Sequence, residues 1–256
     1  MSTVSFLVLL FCLFVIPTEI AAQPVGSPIF TQGPRKFTLS CNGGFLRKNI
    51  YGVKHQSPRF LLKGFYSLSK YLDFFGEVGV TKLNLELSDK SRLDFKDKYH
   101  LAFGAGIILR YFYNERMRFS LFFSGQIFRF TSNPSLEMRQ NFAGIEVKQV
   151  LALKYDWREV NFNLGFFKGM GFVNLFSGMH AELIQRFETK ISKNIIAGGT
   201  DSENIQSGEY KSGLQMNPFL GIDLKLPARC ALSLEIIGRN KSDFVFNIGI
   251  SQTGKP

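Results

Sequence analysis

The chain has 256 residues, 45% of them hydrophobic, and a formal net charge of +11, which is room for one large β domain or two small ones. Its Lys and Arg residues are dispersed, with no basic block and no Gly-rich phosphate loop, so the charge does not point to nucleic acid. Three cysteines, one of them inside an N-terminal apolar run, are too few for a disulfide scaffold, and Cys41 and Cys230 read as two unpaired small apolar residues.

Residues 1–22 contain no Lys or Arg but hold an apolar run, Val4 to Ile16, followed by Pro17 and Ala21-Ala22. The run is too short to span a bilayer as a helix, so it reads as a secretory signal cut after Ala22, with a buried N-terminal helix as the alternative. No lipobox precedes Cys12 or Cys41. Residues 23–35 then form a short N-terminal segment, and residues 36–252 a single β domain.

Beyond residue 35 the chain shows no long amphipathic helix and repeated period-two stretches. Strands are expected at 36–46, 59–68, 71–86, 99–113, 116–130, 143–156, 159–170, 213–226, 229–239 and 243–251. The connections at 69–70, 114–115, 157–158 and 227–228 are tight. Those at 47–58, 87–98, 131–142 and 171–212 are long and polar. Short and long alternate, with 240–242 an exception in length only. An up-and-down meander places alternate connections at the same end, which matches outer-membrane barrels with short periplasmic turns and longer outer loops. The expected fold is therefore all-β, an antiparallel up-and-down transmembrane β-barrel of ten strands; one misread hairpin would make it eight or twelve.

The two faces of these strands differ in kind. In YLDFFGEVGV, residues 71–80, Leu72, Phe74, Gly76, Val78 and Val80 share one side, and Asp73, Phe75 and Glu77 lie on the other. Large side chains dominate one phase throughout, including Leu101, Phe103, Phe123, Leu153, Tyr155, Phe162, Leu220 and Phe246. The other phase carries small or polar ones such as Thr38, Ser40, Asn42, Gly104, Gly106, Ser124, Asn163, Gly221 and Gly249. A narrow barrel has little interior room, so the bulky phase is expected outward and the small phase inward. A soluble β-sandwich is the rival, but Gly, Ser and Asn are poor choices for a solvent-facing strand.

The inward phase also carries Lys63, Asp73, Glu77, Arg110, Arg118, Glu146, Lys148, Lys154, Asp156, Asp223, Lys225, Glu235 and Arg239. These nearly cancel, and Arg110 is placed to pair across strands with Asp73 or Glu77. They fit either a plugged interior of mutually satisfied charges or a narrow charge-lined pore. A second basic set, Arg47, Lys82, Arg129, Arg139 and Lys168, falls on the outward phase near the long-loop end. There it would meet lipid headgroups, lipopolysaccharide phosphates included, or else ordinary solvent. Tyr66, Tyr71, Tyr111, Tyr113, Tyr155 and Trp157 fall at short-turn ends, as an interfacial aromatic girdle would.

His55, His100 and His180 map to the long-loop side, where a base could pair with Asp94, Asp97 or Glu182. No nucleophile-elbow serine and no metal-spaced His-Glu pair accompanies them. Neither catalytic residues nor a metal or cofactor is expected, and His100→Ala and His180→Ala are expected to change nothing.

RFLLKGFYSLSKYLDFFGEVGV, residues 59–80, resembles the second hairpin of bacterial outer-membrane barrels of the broad opacity, OmpA-like and OmpW-like group. NPFLGIDLKLPARCALSLEIIGRNKSDFVFNIGIS, residues 217–251, is similar to their last three strands. The resemblance implies an outer-membrane location, contact with outer-membrane lipid, and delivery by periplasmic chaperones to the barrel-insertion machinery. The expected role is structural or interactive. A narrow channel for small solutes is the leading alternative, ahead of a loop-sited enzyme and a soluble ligand-binding β protein. The 171–212 loop is the expected place for recognition.

Overall fold

The computed structural model describes residues 37–50, 53–87, 94–95, 97–114, 116–142, 145–196, 202–240 and 243–253; the expected signal 1–22 and segment 23–35 lie outside them. The described residues are all-β, with fourteen strands: β1 (Phe37–Ile50), β2 (Val53–Ser67), β3 (Leu72–Thr81), β4 (Asn84–Leu87), β5 (Asp94–Phe95), β6 (His100–Asn114), β7 (Phe119–Ser132), β8 (Ser135–Phe142), β9 (Ile145–Met170), β10 (Val173–Ile196), β11 (Ser202–Lys211), β12 (Gln215–Leu226), β13 (Cys230–Asn240) and β14 (Asp243–Thr253). Ten of them form a ring in the order β1-β2-β3-β6-β7-β9-β10-β12-β13-β14, every pair antiparallel, and β14 pairs back on β1 from Thr38↔Thr253 to Arg47↔Phe244. Closure leaves the ring without a free edge. The fold is an antiparallel up-and-down barrel.

The count agrees with the sequence reading, but two of the ten strands are different ones. The expected strands 143–156 and 159–170 are one strand of 26 residues, β9, and Trp157-Arg158 lies inside it rather than in a turn. The expected recognition loop 171–212 contains a full ring strand, β10, and the added strand β11. One false hairpin and one missed strand cancel in the count. They do not cancel in orientation, because β9 runs toward the short turn at 171–172. The loop expected at 47–58 is also mostly strand, since β1 and β2 pair continuously from Phe37↔Tyr66 to Ile50↔Val53.

The short-turn end holds the connections 68–71, 115–118, 171–172 and 227–229. Left-handed backbone closes the last three, at Arg118 (φ 47°), Gly171 (φ 60°), Ala228 (φ 57°) and Arg229 (φ 60°), and Leu68 N to Leu72 O at 3.0 Å closes the first. Backbone hydrogen bonds link one turn to the next, such as Gly169 N to Arg118 O at 2.8 Å and Lys225 N to Phe172 O at 2.7 Å.

At the opposite, far end the walls continue past the ring. β8 pairs with β9 and β11 with β10, which makes a four-stranded sheet β8-β9-β10-β11 from the long ends of β9 and β10. β4 adds to β2, β5 to β4, and β5 lies beside β8. These walls bury Leu46, Ile50, Leu83, Leu85, Phe95, Leu153, Tyr155 and Trp157 together, an apolar cap at the far end.

Below that cluster the interior is packed, and less uniformly small than the sequence suggests. Phe65, Phe75, Phe122, Phe128, Phe130, Phe167, Phe176 and Phe219 all point inward and are buried. The inward glycines make room for them. A Cβ at Gly106 would strike the Phe75 ring, one at Gly221 the Phe176 ring, and one at Gly165 would come within 2.8 Å of Phe219. Small residues therefore lie inside because neighbouring strands contribute large ones, the alternation of sizes that fills a small barrel.

Candidate functional site

The polar residues of the interior form three tiers between the aromatic rings. Near the short turns, Arg110 Nη2 donates to Asp73 Oδ2 at 2.5 Å, and Ser233 Oγ donates to Asp223 Oδ1 at 2.7 Å. In the middle, Lys63 lies 3.4 Å from Glu77, which also accepts from Gln126 Nε2, and the Lys63 ammonium sits 4.2 Å from the Phe75 ring centre. Asn247 donates to Glu235 at 2.6 Å, and His180 Nδ1 lies 2.8 Å from Asn163 Oδ1.

The third tier, under the apolar cap, contains most of the charge that sequence reading missed. Arg59 makes a two-point ion pair with Glu159 at 2.5 and 3.0 Å, and Trp157 Nε1 donates to the same carboxylate at 2.6 Å. His55 Nε2 meets Arg186 Nη1 at 2.6 Å, Arg186 pairs with Glu188 at 3.2 Å, and Lys48 pairs with Glu182. Every named cation has an anion or a ring beside it. Buried charge is tolerated on those terms.

Lys63, Asp73, Glu77, Arg110, Asp223 and Glu235 are buried inside the ring. The other residues assigned to the lumen fall elsewhere. Arg118 is exposed in the 115–118 turn, and Lys225 reaches across the short-turn rim to Gly171 O. Lys154 is exposed on the outer face, Asp156 lies there between Arg129 and Arg158, and Lys148 pairs with Glu137 beyond the ring. For Lys148, Lys154 and Asp156 the cause is the false turn at 157–158, which permitted a change of phase; in one continuous strand, outward Phe162, Leu164 and Phe166 force Lys154 and Asp156 outward and Leu153 and Tyr155 inward. The side chains of Glu146 and Arg239 lie outside the described residues, as do those of Arg139, Asp94 and Tyr113.

Of the outward basic set, Arg129 is exposed at the far boundary of the ring, Arg47 and Lys82 are half-buried, and Lys82 lies 5.3 Å from the Tyr99 ring centre. Lys168 is at the short-turn end, donating to Met117 O at 2.7 Å, so its placement near the long loops is corrected. Tyr66, Tyr71 and Tyr111 are exposed near that end, whereas Tyr155 and Trp157 are interior and take no part in a girdle.

His55 and His180 are lumenal, on β2 and β10, rather than in loops. His100 stands at the start of β6, with Nε2 2.9 Å from Asp97, and Asp97 also accepts from Ser132 Oγ and the backbone N–H of Asn133. That arrangement ties the 82–99 connection to the end of β7. Among the described residues no group of His, Cys, Asp and Glu is placed to hold a metal. Arg59 could have been found from sequence, because it shares the phase of Lys63; Lys48, His55, His180, Glu182 and Arg186 were hidden in stretches read as loops.

On the projecting sheet, a groove of about 220 Å³ is lined by Gln149, Leu151, Lys190, Ser192, Asn204 and Gln206. On the outer face of the same sheet, the exposed Glu209 carboxyl is held below its ordinary value by hydrogen bonds from Gln185 and Lys211.

The class defined by this geometry is a closed ten-stranded barrel with a filled polar-and-aromatic interior and an apolar exterior. No family model matches the chain, and no curated protein matches it. Similar solved structures include an outer membrane channel from Pseudomonas putida F1, at 12% identity over 93% of this chain and 99% of that one, TM-score 0.36. The translocator domain of the autotransporter NalP from Neisseria meningitidis is similar at 10% identity over 90% and 91%, TM-score 0.40. The outer membrane protease OmpT from Escherichia coli is similar at 8% identity over 85% and 93%, TM-score 0.39.

Proposed function

We propose that this protein is a bacterial outer-membrane β-barrel whose filled lumen serves stability rather than passage, and that it acts through lipid contact and through the sheets beyond its far end. The observation that carries this reading is the outer belt. On β9 the outward positions Val160, Phe162, Leu164 and Phe166 carry no charge, and Arg158 and Lys168 bound them. On β7 the outward positions from Phe119 to Ile127 are likewise uncharged, with Arg129 next. Ten residues of strand span about 33 Å, and a tilt of about 40° reduces that to roughly 25 Å, the height of the apolar band of an outer-membrane barrel. Leu101 is 64% exposed and Ile127 63%, which water does not favour over so wide a surface.

The role proposed is non-catalytic, with outer-membrane lipid, chaperones and the insertion machinery as partners. Its support inside the barrel is the pairing of the interior charges and the apolar cap over them. The test has two parts. A folded barrel in the outer-membrane fraction of a Gram-negative host will migrate faster on a denaturing gel unboiled than boiled, and the purified protein in planar bilayers will give no unitary conductance. A soluble protein of single mobility would sink the membrane reading. Steady ion-selective conductance would favour the narrow-channel alternative.

A further inference from the structure

Arg129 and Arg158 are directly opposite each other on β7 and β9. Like charges in that position destabilise a strand pair unless something holds them. What holds them is Asp156, which accepts from Arg129 Nε at 2.9 Å and Nη2 at 2.8 Å, and from Arg158 Nη2 at 3.0 Å. One carboxylate serves two guanidinium groups, so the cluster keeps one positive charge. Asp156 does not engage Nη1 of either arginine. The Arg158 guanidinium also lies 5.0 Å from the Phe187 ring centre, which fixes its plane.

Beyond Arg158 the register gives Gln185 on β10 and then Lys211 on the added strand β11, where both donate to the Glu209 carboxylate, while Lys154 lies exposed on the same outer face. Directly below the arginines the register gives Ile127 and Val160, and beside Arg129 gives Phe103. Paired arginine forks therefore stand at the upper boundary of the apolar belt. At the lower boundary of the same strand stands a single ammonium, Lys168, which donates to the Met117 carbonyl.

From this asymmetry we propose that Arg129 and Arg158 bind the phosphate of an anionic lipid headgroup in the leaflet nearer the far end, with its acyl chains along Phe103, Ile127 and Val160. Two planar guanidinium groups suit the several oxygens of one phosphate, and the aliphatic surface below supplies the contact that a free anion lacks. The proposal rests on the membrane reading above.

The experiment is native mass spectrometry of the detergent-solubilised full chain, titrated with phosphatidic acid, phosphatidylcholine or inorganic phosphate, with the unboiled gel shift as the folding control. Phosphatidic acid will bind better than phosphatidylcholine, and Arg129→Gln/Arg158→Gln will weaken it roughly tenfold, about the value of one charge-assisted hydrogen bond. Lys168→Gln will leave binding unchanged. Asp156→Asn keeps both arginines and removes their competitor, so it will bind phosphatidic acid more tightly; this variant decides the matter if the double variant does not fold. Phosphatidic acid binding that inorganic phosphate displaces at equal concentration would assign the site to free anions and overturn the lipid assignment. A heat-shifted barrel with no preference for phosphatidic acid would overturn the site alone, whereas a chain showing no heat shift would remove the membrane reading itself.

Discussion

Arg59 and Glu159 lie on β2 and β9, four strands apart around a ring of ten, and their side chains meet inside it through two hydrogen bonds of 2.5 and 3.0 Å. Their side chains are 0% and 1% exposed. The Phe128 ring centre lies 4.9 Å from the guanidinium carbon and that of Phe130 5.5 Å from it. Removing one partner of such a pair strands a buried charge, so Glu159→Ala should cost about 3–5 kcal/mol. Replacing both by apolar residues, as in Arg59→Met/Glu159→Leu, should be close to neutral for stability on the same argument. Urea midpoints for loss of the heat-shifted band will separate the two.

Trp157 is the sole tryptophan and is fully buried in the interior, with its ring centre 5.7 Å from that of Phe130. Its fluorescence in lipid bilayers will therefore be quenched only weakly by lipids brominated along their acyl chains. Strong quenching would place it on the outside, as an interfacial girdle requires, and would break the continuous β9.

Two glycines separate the faces. A Cβ at Gly76 would meet nothing within 4 Å, while at Gly106 it would meet Phe75 and the Gly125 carbonyl. Gly76→Val should be neutral or slightly stabilising, whereas Gly106→Val should cost about 1–3 kcal/mol through overpacking. Phe75→Leu added to Gly106→Val should recover part of that loss. Equal effects of the two valines would mean that neither strand face is assigned correctly.

His180 lies in the packed interior, with Nδ1 2.8 Å from Asn163 Oδ1. The sequence reading expected no effect from His180→Ala; the structure predicts a loss of about 0.5–3 kcal/mol, as for other truncations that open a void in a packed interior. His100 is partly exposed, and Asp97 keeps other donors without it. His100→Ala should shift the urea midpoint less than His180→Ala does.

The turn at 227–229 holds two consecutive non-glycine residues in left-handed backbone, Ala228 and Arg229, closed by Cys230 N to Pro227 O at 3.2 Å. That conformation costs an L-residue roughly 1–2 kcal/mol. Ala228→Asn and Arg229→Gly should each raise the midpoint, and together more than either alone. A fall in stability would show that the side chains contribute something there that outweighs the strain.

Period-two alternation determined a great deal without any structure. The faces of β3, β12, β13 and β14, and of β6 up to its bulge after Arg110, are legible residue by residue, because a strand places alternate side chains on opposite sides and water, lipid and core select differently between them. The error at Trp157-Arg158 was also legible in part: neither residue is a turn former, and Gly169-Met170-Gly171 a little further on does supply a left-handed glycine. The run from Val173 to Ile196 alternates too, but its Ser177, Gln185 and Lys193 on the outward phase lower the contrast that marks a strand.

Tertiary structure alone decided which strands neighbour one another across long separations, and hence that β14 returns to β1 and that Arg59 finds Glu159. It also decided why the interior glycines are there. A lone glycine looks the same whether it borders an empty pore or a phenylalanine from the next strand, and only the register between strands says which. The same register sets Arg129 beside Arg158. Local alternation fixes the face a side chain occupies, but its partner on that face depends on hydrogen bonds made with chain that can lie a hundred residues away.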